Sequence, residues 1–280
     1  MKVIQHYYFK RVTFLLFLIS TSFYAQETPT FYVEVITMHW NMELEDFSMD
    51  EWKDTEVEYH EKVTMKNEHI LSTTVLQHHF TEDSSEILFI TVYPSWVAME
   101  EAVKRNEELT AEAWPDEKER AAFLKKQNKV YATPHSDEIY VTIPGAKALE
   151  ELELPLIYYV RTSYFTFPED GKGNEFMDVL NEYNEVVTHN NEHYKAYYPQ
   201  THYYGADRTE FVEVFVAETL AELEKGIAQQ GRLFAAHWDT DEKKDAYGKV
   251  MDKYLTGVHS DRIYSSVPEL HKSMNPPDDN

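Results

Sequence analysis

The chain has 280 residues, with 50 acidic against 26 basic side chains, a formal net charge of −24 and no cysteine. A surface of that sign repels the phosphates of nucleic acid and of anionic lipid, so neither is an expected partner. Without thiols there is no disulfide and no cysteine-linked lipid anchor, and stability must come from packed cores.

Residues 1–25 read as a signal peptide. Lys2, Lys10 and Arg11 precede the apolar run 12–19, which is too short to cross a hydrocarbon layer of about 30 Å as a helix. Cleavage is expected after Ala25, with Ser22 as the alternative. The processed protein is then exported, periplasmic or extracellular, and free of membrane once cleaved.

From residue 31 the chain repeats itself. Residues 31–144 fall on 155–268 at a displacement of 124 positions: Asn67-Glu68-His69 on Asn191-Glu192-His193, His78 on His202, Trp114 on Trp238, and His135-Ser136-Asp137 on His259-Ser260-Asp261. Self-similarity over so long a register marks one folding unit used twice. The units are 31–144 and 156–269, joined by a charged linker, 145–155. A tail, 270–280, ends in Asn-Pro-Pro-Asp-Asp-Asn and is expected to be disordered.

Each unit opens with a β-branched and aromatic strand, 31–40 in the first copy and 156–165 in the second. Ser48-Met49-Asp50-Glu51 has the form of a capping box, and the helix it starts is expected to reach about His69. Its counterpart runs from Asn174 through Phe176, Leu180, Tyr183 and Val187. A hairpin follows, 70–80 with 86–93 and then 194–204 with 210–217. Helices run from Ser95 and Thr219 to Trp114 and Trp238, and then on to about Tyr131 and Leu255. The closing strands are 139–143 and 263–267. Leu88, Ile90 and Val92, with Val212, Val214 and Val216, are expected to face the helices. The opposite face, Ile87, Phe89, Thr91 and Tyr93 with Phe211, Glu213, Phe215 and Ala217, is then to be covered by the other copy's sheet.

The order β-α-β-β-α-β is ferredoxin-like, and two such repeats packed sheet to sheet make an α+β barrel within one chain. Here the sequence resembles the dimeric α+β barrel superfamily, which includes antibiotic-biosynthesis monooxygenases, NIPSNAP-like proteins and chlorite-dismutase-like haem proteins. The duplication predicts a pseudo-dimer that completes its own barrel as a monomer. The resemblance implies a planar or hydrophobic ligand between helices and sheet, and makes haem a candidate cofactor. Haem-degrading members combine an Asn on the first strand with Trp and His on later helices. Asn41 stands at such a strand, but the helix 95–112 has Trp96 and no His, and the second copy has His237-Trp238 with Phe165 in place of Asn41. No catalytic residue is therefore carried over.

Four groups of residues are candidates for chemistry. The repeated histidines, His78 and His202 among them, are either fold-bearing or ligating. His189 and His193, at helical spacing, could hold a metal with His202 from the next strand. Arg161 and Glu213, replacing Thr37 and Phe89 of the first copy, are expected to meet between the sheets, as a buried ion pair or as a charged group in a ligand cavity near His39 and Asn41. Trp114 and Trp238, amid 20 Tyr and 15 Phe, line either the core or such a cavity. No phosphate loop, nucleophile elbow or His-Glu-x-x-His is present. The expected protein is an exported barrel that binds a small hydrophobic or aromatic ligand. The alternatives are a cofactor-independent or haem-dependent monooxygenase, with His193 or His202 on iron and Arg161 on an anion, and an interaction module without a ligand.

Overall fold

The computed structural model describes residues 29–149 and 154–274. The expected signal peptide, part of the linker and the end of the tail lie outside the described residues. The first half contains β1 (Tyr32–His39), α1 (Met49–Lys62), β2 (Ser72–Phe80), β3 (Glu86–Tyr93), α2 (Trp96–Ala113), α3 (Glu117–Asn128) and β4 (Ser136–Thr142). The second contains β5 (Ile157–Phe165), α4 (Glu175–Tyr183), β6 (Ala196–Tyr204), β7 (Glu210–Ala217), α5 (Leu220–His237), α6 (Asp241–Tyr254) and β8 (Leu255–Ser266). Side-chain oxygens of Ser48, Ser95, Asp116, Thr219 and Thr240 cap five of the six α-helices at their free N–H groups. Among the described residues no helix is long and apolar enough to cross a membrane.

The eight strands close into one antiparallel barrel in the order β1-β3-β2-β8-β5-β7-β6-β4. The halves meet at two seams, β2 with β8 and β4 with β6. Each seam is tied by a tyrosine reaching a glutamate of the other half: Tyr140 donates to Glu210 at 2.7 Å and Tyr264 to Glu86 at 2.9 Å. This is the expected α+β barrel formed by a tandem repeat.

The strand faces are the reverse of the expectation. Leu88, Val212, Val214 and Val216 pack with Val33, Leu76, Tyr140, Tyr158 and Tyr264 from both halves, so they fill the barrel lumen. Ile87 and Phe89 meet Trp52 of α1, and Phe215 and Ala217 meet Leu223 of α5. Both faces are apolar in both copies, so alternation alone could not orient them. Their packing partners distinguish them: one face meets its counterparts from both halves in the lumen, and the other meets the helices of its own half. Glu213 therefore belongs to the helix layer of the second half and not to the space between the sheets.

The repeat also carries a one-residue slip. Val35 pairs with Ile90, and Val160 pairs with Val214, so β1 and β5 correspond at a displacement of 125 while the later strands keep 124. Arg161 therefore stands where Ile36 stands, not Thr37.

α1 ends at Lys62 because Val63 leaves the helical region at φ −120°, earlier than the sequence pattern suggested. The chain then turns on Asn67, whose side chain donates to the Ala102 carbonyl and accepts from His69 N–H. Asn191 does the same with Gly226 and His193. The repeated Asn-Glu-His motif thus builds a turn.

The linker and tail cross over between the halves. Lys147 bridges Tyr197 on β6, and Lys272 bridges Thr73 on β2. Their ammonium groups reach the carbonyls of Asn191 and Asn67 respectively. The tail expected to be disordered from 270 is thus packed through Lys272, with Leu270 buried against the first half. The apolar Leu270 and the backbone pairing of Lys272 outweigh the polar composition that follows them.

Candidate functional site

The helix layer of the first half holds a half-open cavity of about 360 Å³. β1, β2 and β3 form its floor through Glu34, Ile36, Met38, Thr73, Phe89, Thr91 and Tyr93. Its roof comes from Glu56, Tyr59 and His60 of α1, Asn106 of α2, Gln127 of α3, and Tyr131 just beyond. Alternation along each strand brings the floor residues to one face, and α1 turns Glu56, Tyr59 and His60 onto its inner side.

Glu56 is 6% exposed and fully engaged. It accepts the Tyr131 hydroxyl at 2.7 Å on one oxygen and Gln127 Nε2 at 2.9 Å on the other. Tyr131 in turn accepts from the Trp52 indole at 2.7 Å. Burial pushes the Glu56 carboxyl above the ordinary carboxylate range, although both hydrogen bonds pull the other way. Glu34 accepts the Tyr93 hydroxyl at 3.0 Å on Oε2, and burial likewise raises its pKa. Burial lowers that of His60, so this ring is neutral near pH 7. Its Nε2 lies 3.3 Å from the His271 carbonyl, which assigns the proton to Nε2. Among the described residues the lining holds no lysine or arginine.

The second half fills the corresponding space. In structural register Thr73 becomes Tyr197, Thr91 becomes Phe215, Glu34 becomes Tyr159 and Ile70 becomes Tyr194. Tyr194, Tyr197 and Tyr159 close around Phe215 at ring separations of 5.1, 4.9 and 5.8 Å. Ala102 becomes Gly226, and a Cβ there would stand 2.5 Å from the Tyr194 ring, so the glycine makes room for the tyrosine. The polar roof changes one for one as well. Trp52, Glu56, Gln127 and Tyr131 give way to Phe176, Leu180, Met251 and Leu255, which pack in one apolar cluster.

None of the residues singled out from the sequence lines the first-half cavity. Arg161 and Glu213 are direct cross-strand neighbours, but they do not pair with each other. Arg161 donates to Asp261 at 3.1 Å and to the Tyr159 hydroxyl at 2.6 Å, while Glu213 accepts the Tyr197 hydroxyl at 2.7 Å. Asp261 wins because β8 lies on the other side of β5 and sets it opposite Arg161. His39 sits at the end of β1 against Asp83 and Ser85. Asn41 follows in the next turn, donating to the Lys129 carbonyl. Trp114 and Trp238 are buried, stacked on Phe123 and Tyr59 and on Phe234 and Tyr183.

His78 bonds Thr81 at the end of β2. His202 stands beside Tyr140 across the β4–β6 seam, its Nε2 buried without a hydrogen-bond partner among the described residues. His189 follows a π turn at Asn184–Thr188 and bonds the Gly145 carbonyl. His193 lies beyond the helix and pairs with Glu222 at 2.7 Å. The three are not gathered, and among the described residues no group of three or more His, Asp or Glu is placed to hold a metal.

Haem does not fit the cavity residues. Its propionates need cations, and among the described residues the only formal charges lining the space are two carboxylates. The one imidazole there has its Nε2 committed to a backbone carbonyl.

The residues that sequence reasoning missed, Glu34, Glu56, Tyr93 and Tyr131 above all, did leave a signal. Glu56 interrupts an apolar helix face at a position where the second copy has Leu180. Glu34 was hidden by the one-residue slip, which sets it against lumen-facing Tyr158 instead of Tyr159.

No protein-family model matches the sequence, and no curated protein matches it. Solved structures do match. A candidate monooxygenase from Lactobacillus acidophilus NCFM is 10% identical with a TM-score of 0.52, over 88% of this chain and 97% of that one. A candidate monooxygenase from Fusobacterium nucleatum is 11% identical with a TM-score of 0.52, over 87% and 94%. A candidate chlorite dismutase, TA0507, is 14% identical with a TM-score of 0.47, over 86% and 96%. For the two monooxygenase structures, at these identities, the likeness is one of fold alone.

Proposed function

We propose that the protein binds a small, largely apolar or aromatic molecule in the helix–sheet cavity of its first half. One observation carries this reading: the two halves share their turns and seams, yet one helix layer is open where the other is plugged ring by ring. A space of about 360 Å³ lies within the range of small-molecule pockets, which run from about 300 to 1,000 Å³. Phe89, Tyr59, Tyr93 and Tyr131 offer ring faces, and Thr73, Thr91 and Asn106 offer a few polar contacts. The Trp52–Tyr131–Glu56–Gln127 network supports the same reading, because the second half packs this place with four apolar residues, so the fold does not require buried polar groups there. We propose further that the protein works outside the cytoplasm as a monomer, a reading supported by the charged-then-apolar leader and by a barrel that one chain closes.

The test transplants the plug. Thr73→Tyr with Thr91→Phe puts the second half's side chains into the first half's cavity. Native mass spectrometry of processed protein recovered from its own compartment is expected to show a bound organic mass on the wild type and none on the variant. A bound mass that survives the plug would place the ligand elsewhere and overturn the reading.

A further inference from the structure

We propose that the ligand of this cavity carries a protonated amine, held by the Glu34 carboxylate among aromatic faces. The inference rests on the cavity reading above and adds the chemical class. Among the described residues only two side chains in the lining carry formal charge, Glu34 and Glu56, and both are acidic. Glu56 has both oxygens committed to Tyr131 and Gln127. Glu34 does not: Tyr93 holds Oε2 at 3.0 Å, and among the described residues no bond reaches Oε1. Tyr93 thus fixes the direction of the carboxylate and leaves one oxygen for a guest.

A carboxylate in a low-dielectric pocket is costly unless a partner compensates it. Among the described residues no lysine or arginine lines the space and no bond reaches Oε1, so an ammonium brought by the ligand would supply the missing partner. Tyr59, Phe89, Tyr93 and Tyr131 line the same space, and ring faces attract ammonium groups. An anionic guest would meet two carboxylates and no cation. A neutral guest would leave the Glu34 charge without a cationic partner. The position is also absent from the plugged half, where Tyr159 replaces Glu34 and the neighbouring charges neutralise each other as Arg161 and Asp261.

Three probes of one ring system separate the classes: naphthylmethylamine, naphthylmethanol and naphthoate, each titrated calorimetrically into the full processed chain near pH 7. The amine is expected to bind at least about tenfold more tightly than the alcohol, with naphthoate weakest. Glu34→Gln, which keeps an oxygen for the Tyr93 hydroxyl, is expected to bring the amine down to the alcohol's affinity and leave the alcohol within about twofold. Alcohol or naphthoate binding as tightly as the amine would overturn the proposal, as would a preference unchanged in Glu34→Gln, or no binding of the amine. The Thr73→Tyr/Thr91→Phe variant distinguishes the two failures. If it abolishes alcohol and amine alike while the two bind equally to wild type, the cavity reading stands and the amine class falls. If the amine still binds to the plugged variant, the cavity reading itself falls.

Discussion

The two helix–sheet layers are built on the same turns and answer to different demands. In both, an asparagine ties the turn after the first helix to the next helix, and a tryptophan stacks on a tyrosine from the first helix. In the second layer Tyr194, Tyr197 and Phe215 are almost wholly buried and leave a continuous core. In the first, Thr73 and Thr91 are short, and the space above them stays open with carboxylates on its floor and roof. Duplication has freed one copy to be core while the other keeps a chamber. The ligand site proposed above falls in the open layer.

The contrast is broken most directly by giving the second half a residue of the first. Tyr197→Thr removes a fully buried ring and the hydroxyl that satisfies Glu213. Large-to-small changes in cores cost about 3–5 kcal/mol, and the unpaired carboxylate adds to that. Denaturant unfolding should show a loss of that size. A loss under about 1 kcal/mol would mean that the second layer is as tolerant of space as the first. The reciprocal Thr91→Phe enters a void and is expected to leave stability nearly unchanged.

Gly226 sharpens the comparison at one contact. Gly226→Ala drives a methyl to within 2.5 Å of the buried Tyr194 ring, an overpacking that costs about 1–3 kcal/mol, against a helix-propensity gain of up to about 1 kcal/mol. A net loss is expected. Adding Tyr194→Ile recreates the first half's Ala102 and Ile70 and removes the clash, so the two changes should be less than additive in thermal unfolding. Full additivity would show that ring and glycine do not depend on each other.

The seams predict the opposite, likeness in place of contrast. Tyr140→Phe and Tyr264→Phe each delete one hydrogen bond to a glutamate across the halves, and each should cost about 1 kcal/mol. Similar losses for both would show that the barrel closure kept its two-fold character while the helix layers diverged. A clear inequality would mean that one seam carries the closure.

These particulars show what the sequence made legible. Strand and helix order, the tandem repeat and the closed barrel could be read from periodicity and self-similarity, because those signals are summed over many residues. The direction of the strand faces could not, since Leu88–Ile90–Val92 and Ile87–Phe89–Tyr93 are equally apolar and only their packing partners separate them. Arg161 and Glu213 were correctly neighbours in register, but a third strand brings Asp261 to Arg161, and single-strand reasoning does not see that. The cavity escaped for a related reason. It is defined by what its residues are smaller than: Thr73 against Tyr197 and Thr91 against Phe215 stand at the common displacement of 124, while Glu34 against Tyr159 needs the slip between β1 and β5 to be known.

Glu34→Gln gives the smallest effect and the most specific one. Burial raises the Glu34 carboxyl in the folded protein more than its bond to Tyr93 lowers it, while an unfolded glutamate titrates near about 4.3. Between those two values the folded state keeps a proton that the unfolded state has released. Glu34 therefore contributes most favourably at low pH, and its contribution is lost as pH rises through the folded pKa. Replacing it with glutamine removes that loss. The variant should melt higher than wild type near pH 7, and the gap should close as pH falls toward about 4. His60 acts in the opposite sense, since burial lowers its pKa and its contribution falls away below about pH 6.5. That change is common to both proteins and cancels in the difference. A gap of the same size at both ends of the range would mean that Glu34 stays charged at no cost, and the argument that its charge awaits a cationic partner would lose its physical basis.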